Sequence, residues 1–179
     1  MIVFVRHGEA AASWGDHPDP GLSEKGWLQA QAAAEQIEAL GISQIISSPM
    51  QRCQDTAKSF SDRSGLSITI DADVSEIPTP DGIADRVAWL RSLMSGNWNQ
   101  AEPLIKEWRK RLIARAESLP NGTVVFSHFV AINALVGHLE NTDQVTVFRP
   151  DHCSLTLLES TPQGLILKQR GGEAGTKVL

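Results

Sequence analysis

Two of the chain's five histidines, His7 and His128, each close an apolar run: Ile2-Val3-Phe4-Val5-Arg6-His7 and Val124-Val125-Phe126-Ser127-His128. Short runs of this kind read as buried central strands. A group just past such a strand stands at its carboxyl end, where open α/β sheets place their ligand crevices, so both imidazoles can converge at one edge of a sheet. Arg6 fixes a cation beside His7, and Gly8 lets the backbone turn sharply. Arg52 follows another strand-like run, Gln44-Ile45-Ile46-Ser47. Between them, Ser48-Pro49 reads as a helix cap with proline in the first helical position. An arginine in a helix's first turn adds a bidentate fork to an end that already favours anions. Taken singly, each of these side chains reads as a structural histidine or a solvated arginine. Taken together, two histidines and two arginines suit a phosphoryl group, whose transfer is catalysed mostly by positioning and charge stabilisation. A two-histidine metal site is the competing chemistry, but no well-spaced third ligand accompanies the pair.

The elements that must position these residues alternate strand and helix, which predicts a three-layer α/β sandwich: a mostly parallel central sheet with helices on both faces. After the loop 10–22, Ser23 is an N-cap, and Trp27, Ala30, Ala34 and Ile37 recur at helical spacing up to Gly41. Met50, Cys53, Ala57 and Phe60 mark the buried face of the helix carrying Arg52. Ser67 to Ile70 is a further strand, followed by an acidic loop from Asp71 to Gly82 that holds Glu76 and Asp81. Ile83, Val87, Leu90 and Met94 define one helix; Ile105, Trp108, Leu112 and Leu119 define a second, with Pro103 near its start. This helical hairpin, 83–119, forms either a wall or lid over the site or plain scaffold on one sheet face. Trp89, Trp98 and Trp108 read as packing, although Trp98, between the helices, could touch substrate. A helix from about Val130 to Leu139 follows the second histidine. Gln144 to Phe148, Ser154 to Leu158 and Leu165 to Lys168 read as final strands, and Gly171 to Leu179 as a mobile tail. His17, His138 and His152 read as surface or packing residues.

The 179 residues suit a single domain, 1–179, and the formal net charge of −5 excludes a basic nucleic-acid footprint. An anionic substrate would then need a locally positive cleft. Cys53 and Cys153 lack metal-like spacing and read as reduced thiols. With no basic leader ahead of an apolar segment, and no run as long as a membrane span, the expectation is a cytoplasmic protein with no membrane partner. Oligomeric state is not legible.

Arg6-His7-Gly8-Glu9 at the end of a first strand resembles the signature of the histidine phosphatase superfamily, the phosphoglycerate-mutase-like proteins. Three later stretches match that family in order: Gly21-Leu22-Ser23-Glu24-Lys25-Gly26, Ser47-Ser48-Pro49-Met50-Gln51-Arg52-Cys53-Gln54-Asp55-Thr56-Ala57, and Val124-Val125-Phe126-Ser127-His128. The resemblance implies a phosphoglycerate-mutase-like fold and a phosphatase that needs no metal or cofactor. It implies His7 as the nucleophile, and Arg6 and Arg52 as phosphate ligands. His128 would be a donor to the transferring group and Glu76 the general acid, with Asp81 the next carboxylate if Glu76 fails. The substrate would be a small phosphorylated metabolite. Ala10-Ala11-Ala12, Phe129 and Asn133 depart from the family's mutases, which usually carry a polar run, a glycine and an arginine there. Phosphoglycerate-mutase-type isomerase, protein phosphohistidine phosphatase and inactive phosphate-binding module stand as alternatives.

Overall fold

A computed structural model describes residues 1–12 and 18–175; His17 lies outside them. A six-stranded sheet has the order β3-β2-β4-β1-β5-β6. Its strands are β1 Ile2–Arg6, β2 Gln44–Ser47, β3 Ile68–Ile70, β4 Thr123–Ser127, β5 Leu155–Thr161 and β6 Gly164–Gln169. The first four are parallel, and β5 and β6 close the other edge as an antiparallel hairpin. The helices are α1 Glu24–Glu38, α2 Gln51–Ser64, α3 Arg86–Met94, α4 Pro103–Glu117 and α5 Phe129–Leu139.

Strand alternation divides the core. Val3, Val5, Ile45, Val124 and Phe126 face α1 and α2 through Ala30, Ala34, Ile37, Cys53, Ala57 and Phe60. Ile2, Phe4, Ile46 and Val125 face the other layer, where α4 contributes Ile105, Trp108 and Leu112 and α5 contributes Ile132 and Leu135. This is the expected three-layer sandwich. Trp98 belongs to that second layer: it is buried, 6.3 Å from Trp108 between ring centroids, and Arg109 lies over its ring. It is core rather than a substrate contact.

Several boundaries differ from the sequence reading. Ser48-Pro49 does not start α2. The Ser48 N–H still donates to Phe126 O at 3.0 Å, continuing the strand ladder, and the helix opens at Gln51, whose N–H donates to Asp19 Oδ1. In α3 the start is set by Asp85, whose Oδ1 accepts from the Ala88 N–H, so Ile83 precedes the helix. Gln144 to Phe148 is not a strand. Asn133 Oδ1 takes the N–H groups of both Val147 and Phe148, at 2.8 and 3.1 Å, and Val145 N donates to Gly96 O. With β5 already paired to β1, no sheet edge is open to this segment there. The expected mobile tail is instead anchored through its first residues: Asp151 N donates to Gly172 O and Ala174 N to Arg149 O, both at 2.8 Å. Residues 176–179 lie outside the described chain.

Candidate active site

The β1–β4 register pairs Arg6 with Ser127, so the next residues, His7 and His128, emerge side by side. Their ring centroids are 5.4 Å apart, and the His7 N–H donates to Ser127 O. Directly after His7 the chain runs against the start of α1. A Cβ on Gly8 would lie 2.7 Å from Gly26 O, and one on Gly26 would overlap Glu9 O. Both glycines are needed for this close approach. Ser23 caps α1 by accepting from Gly26 N, while its hydroxyl and Lys25 hold the Glu9 carboxylate. Thr56, one turn along α2 from Arg52, accepts from the Gly8 N–H at 3.0 Å and donates to Arg52 O. A sequence reading could have found Thr56 by its i, i+4 spacing.

His7 Nδ1 lies 2.7 Å from Gly8 O. A carbonyl can only accept, so Nδ1 carries the proton and Nε2 presents its lone pair. Arg52 Nε donates to that lone pair at 3.2 Å. Burial, then the nearby His128, Arg52 and Arg6, pushes the His7 pKa well below the usual histidine value, so the ring is neutral near pH 7.

Arg6 is buried beneath the histidines. Its Nη1 donates to Pro150 O at 2.9 Å, its Nη2 lies 3.0 Å from His152 Nε2, and its Cζ stands 5.4 Å from the centre of the Phe129 ring. Its Nε has no hydrogen-bond partner among the described residues. An unpartnered buried donor is costly unless a ligand satisfies it. Burial lowers its pKa to about 10, which leaves it charged. Phe129, one of the departures noted above, thus covers the guanidinium face. Asn133, another, organises the 147–148 backbone.

Arg52 donates to His7 and to Glu76 Oε2, the latter at 3.2 Å; its Nη1 lies 4.0 Å from Asp19 Oδ1 and its Nη2 3.3 Å from His128 Nδ1. Glu76 Oε2 also lies 3.4 Å from His128 Nδ1, and its Oε1 accepts from its neighbour Ile77 N. Burial opposes the charge on Glu76, but the His128 ring, Arg52 and the Ile77 amide outweigh it and hold the carboxyl below the usual range. Burial drives His128 down to about 4. Its Nε2 lies 2.7 Å from Ser48 Oγ. With Ser48 donating there, Nδ1 carries the hydrogen that faces Glu76, and the Arg52 Nη2 stands beside it without bonding to it.

The five residues singled out from sequence therefore meet in one cluster. Asp81 does not join it; it lies on an exposed turn. Ser48, Thr56 and His152 were missed as site residues. Ser48 was read as a helix cap, yet it is buried and holds His128. His152 was read as surface or packing, yet its ring centroid is 5.9 Å from that of His7; it arrives on an irregular loop, for which spacing gives no signal. Cys53 and Cys153 are free, buried thiols, and burial pushes both pKa values up, Cys153 to about 12. Among the described residues no group of three or more His, Cys, Asp or Glu could hold a metal ion, and no helix is long and apolar enough to cross a membrane.

Residues 2–171 match the model of the histidine phosphatase superfamily, branch 1. A relative from Enterobacter sp. (strain 638), named "Probable phosphoglycerate mutase GpmB", is 30% identical over 158 residues, covering 76% of this chain and 73% of that protein. Among solved structures, Bacillus stearothermophilus YhfR superposes with a TM-score of 0.79 at 18% identity, over 97% of each chain. A mycobacterial glucosyl-3-phosphoglycerate phosphatase gives 0.72 at 23% identity, over 97% of this chain and 99% of that one.

Proposed function

Because the chain belongs to branch 1 of the histidine phosphatase superfamily, we propose that it hydrolyses phosphomonoesters of small metabolites through a phosphohistidine on His7. The observation that carries this reading is the contact of His7 Nδ1 with Gly8 O, which assigns the tautomer of His7. Gly8 O holds Nδ1–H at 2.7 Å, which leaves Nε2 as a neutral nucleophile turned toward Arg52.

Nε2 attacks phosphorus. The N–P bond forms as the ester P–O bond breaks, and a protonated Glu76 gives its proton to the departing alkoxide. Water then attacks the phosphohistidine and loses a proton to the Glu76 carboxylate. The N–P electrons return to Nε2, and inorganic phosphate leaves. Arg6 Nε, Arg52 and His128 Nδ1–H supply donors to the nonbridging oxygens. Charge-assisted bonds contribute roughly 1.5–3 kcal/mol each, and their catalytic share is whatever strengthens in the transition state. Glu76 is ionised before substrate arrives, and a phosphoryl dianion beside it raises its pKa. The proton therefore comes with the substrate or is taken up on binding.

Phosphatase activity accords with the mycobacterial phosphatase that shares the fold. Mutase activity is the second reading, raised by the name of the Enterobacter relative. Two of the departures from the mutases, Phe129 and Asn133, are built into this chain's own packing, which favours hydrolysis. We read the chain as one domain in which 83–119 supplies both scaffold, through α4, and a wall of the site, through the start of α3. Its acidic balance and buried thiols suit a cytoplasmic setting without nucleic-acid or membrane partners.

The test is a phosphorus-labelled enzyme trapped during turnover. Label that is lost in acid, kept in base and absent from His7→Ala is the expected result. Acid-stable label, or label retained in His7→Ala, would rule out the nucleophile. Interconversion of 2- and 3-phosphoglycerate, dependent on a bisphosphate, would favour the mutase.

A further inference from the structure

A cleft of about 840 Å³ opens directly from the phosphate cluster, and Arg52 and Glu76 line both. That shared wall fixes what enters the cleft. The ester oxygen must face Glu76 to receive a proton, so the alcohol's carbon skeleton extends away from the histidines along the same wall.

The rest of the lining is chiefly apolar: Pro18 and Pro20, Met50 at the head of α2, and Ile77, Ala84 and Val87. Three polar side chains share it, and two of them hold the wall together. Asp85 Oδ1 caps α3 through the Ala88 N–H at 2.9 Å, and Arg86 Nε donates to Thr79 Oγ1 at 2.7 Å. Ser75 is the third. The volume lies within the roughly 300–1,000 Å³ of sites that enclose a whole small organic molecule. A three-carbon acid such as phosphoglycerate would leave most of it unfilled.

We propose that this cleft is the leaving-group site, and that it selects phosphomonoesters whose alcohol carries an extended apolar body over those of short polyhydroxy or carboxylic acids. The proposal deepens the phosphatase reading and rests on it for the orientation of the ester. Specificity arises from buried area, because desolvating a methylene against Val87, Met50 and the prolines is favourable, whereas a carboxylate there would lose its water and meet two guanidiniums already engaged, Arg52 with Glu76 and Arg86 with Thr79.

Nonhydrolysable phosphonates test the cleft without requiring turnover. Methyl-, butyl- and hexylphosphonate, with 3-phosphonopropionate as the acidic comparator, are titrated calorimetrically into the wild-type protein. Affinity should rise about two- to fourfold per added methylene, and 3-phosphonopropionate should bind more weakly than butylphosphonate. In Val87→Asp the chain-length dependence should collapse, with inorganic phosphate binding as the check that the variant is folded. A flat series, tighter binding of 3-phosphonopropionate, or an unchanged slope in Val87→Asp would each overturn the proposal. Hydrolysis of butyl and hexyl phosphate separates the two readings. Hydrolysis with a flat phosphonate series keeps the phosphatase and removes the apolar site. A steep series with no hydrolysis keeps the site and removes the phosphatase.

Discussion

Glu76 Oε2 and Arg52 Nη2 stand 3.2 Å apart in a buried pair, so the carboxylate proposed as the general acid is held by a guanidinium that, on the same proposal, the phosphoryl group also uses. An incoming dianion competes with Glu76 for Arg52 and for His128. As it does so, it removes the contacts that keep Glu76 ionised and adds a like charge nearby, and both changes favour the protonated acid. On the proposed mechanism, binding would thus set the protonation state that leaving-group departure requires.

Glu76→Ala should therefore act in opposite directions on binding and on chemistry. Inorganic phosphate should bind at least as tightly, because a competing anion is gone. Turnover of an alkyl phosphate should fall on the order of 10²–10⁴-fold, and that of p-nitrophenyl phosphate, whose leaving group needs little help, by much less. Asp81→Ala, on its exposed turn, should leave both rates unchanged. Steady-state kinetics on the paired substrates, with phosphate inhibition constants, decide the matter. Equal small losses on both substrates would remove Glu76 from the mechanism.

Arg52→Lys keeps a charge but loses the planar fork. One ammonium cannot face His7 Nε2, His128 Nδ1 and Glu76 Oε2 together as the guanidinium does. Weaker phosphate inhibition and a kcat/KM loss of about tenfold or more are expected, each lost charge-assisted bond costing roughly 1.5–3 kcal/mol. Unchanged kinetics would place Arg52 outside the phosphate clamp.

What sequence disclosed about this centre followed from regular structure. His7 and His128 were legible because apolar strands deliver them, and Arg52 because it opens a helix just past a strand. The segment 144–148 misled because Val145 and Val147 alternate like a strand, while a distant side chain, Asn133, takes its backbone donors. His152 was hidden for a related reason. It reaches Arg6 on the loop 149–153, whose path is fixed by the C-terminal residues and not by any period in its own sequence.

If Arg6 binds phosphate as proposed, His152 would act on it through Arg6, as a positioning residue. Burial, then the neighbouring Arg6, lowers its pKa to about 4, so near neutral pH its Nε2 can accept from Arg6 Nη2 at 3.0 Å. His152→Ala should raise KM and weaken phosphate inhibition several-fold while changing kcat less. His152→Asn, which keeps an acceptor, should recover part of the loss. A kcat defect with unchanged KM would contradict this role.

Removing residues 171–179 should damage the same contact from the other side. The deletion takes away Gly172 O from Asp151 N, the Ala174 N–H from Arg149 O, and the Gly171 N–H from Thr156 Oγ1. Released, the loop no longer holds Pro150 O against Arg6 Nη1. A stability loss of roughly 1–3 kcal/mol by urea unfolding is expected, with a raised KM. A truncated chain with wild-type KM would show that the tail does not brace Arg6.

Acid should destabilise the fold well above the carboxylate range. His128 is fully buried with a pKa of about 4, and His7 is likewise held well below the usual value, whereas in the unfolded chain both titrate near 6.5. Between about pH 4 and 6.5 the unfolded chain therefore binds more protons than the native state does. Stability rises with pH wherever that holds, so it is fully present above about 6.5 and drains away as pH falls toward 4. Across pH 7 to 5 His128 alone accounts for roughly 2 kcal/mol. Glu76, depressed below the usual carboxylate value, adds its own loss only at still lower pH. Urea midpoints should drop markedly from pH 7 to pH 5, and the drop should shrink by about that amount in His128→Asn, which removes the titrating ring. A midpoint that is flat or rising over this interval would mean that the histidines are not held neutral, and would remove the neutral nucleophile on which the proposed phosphohistidine chemistry depends.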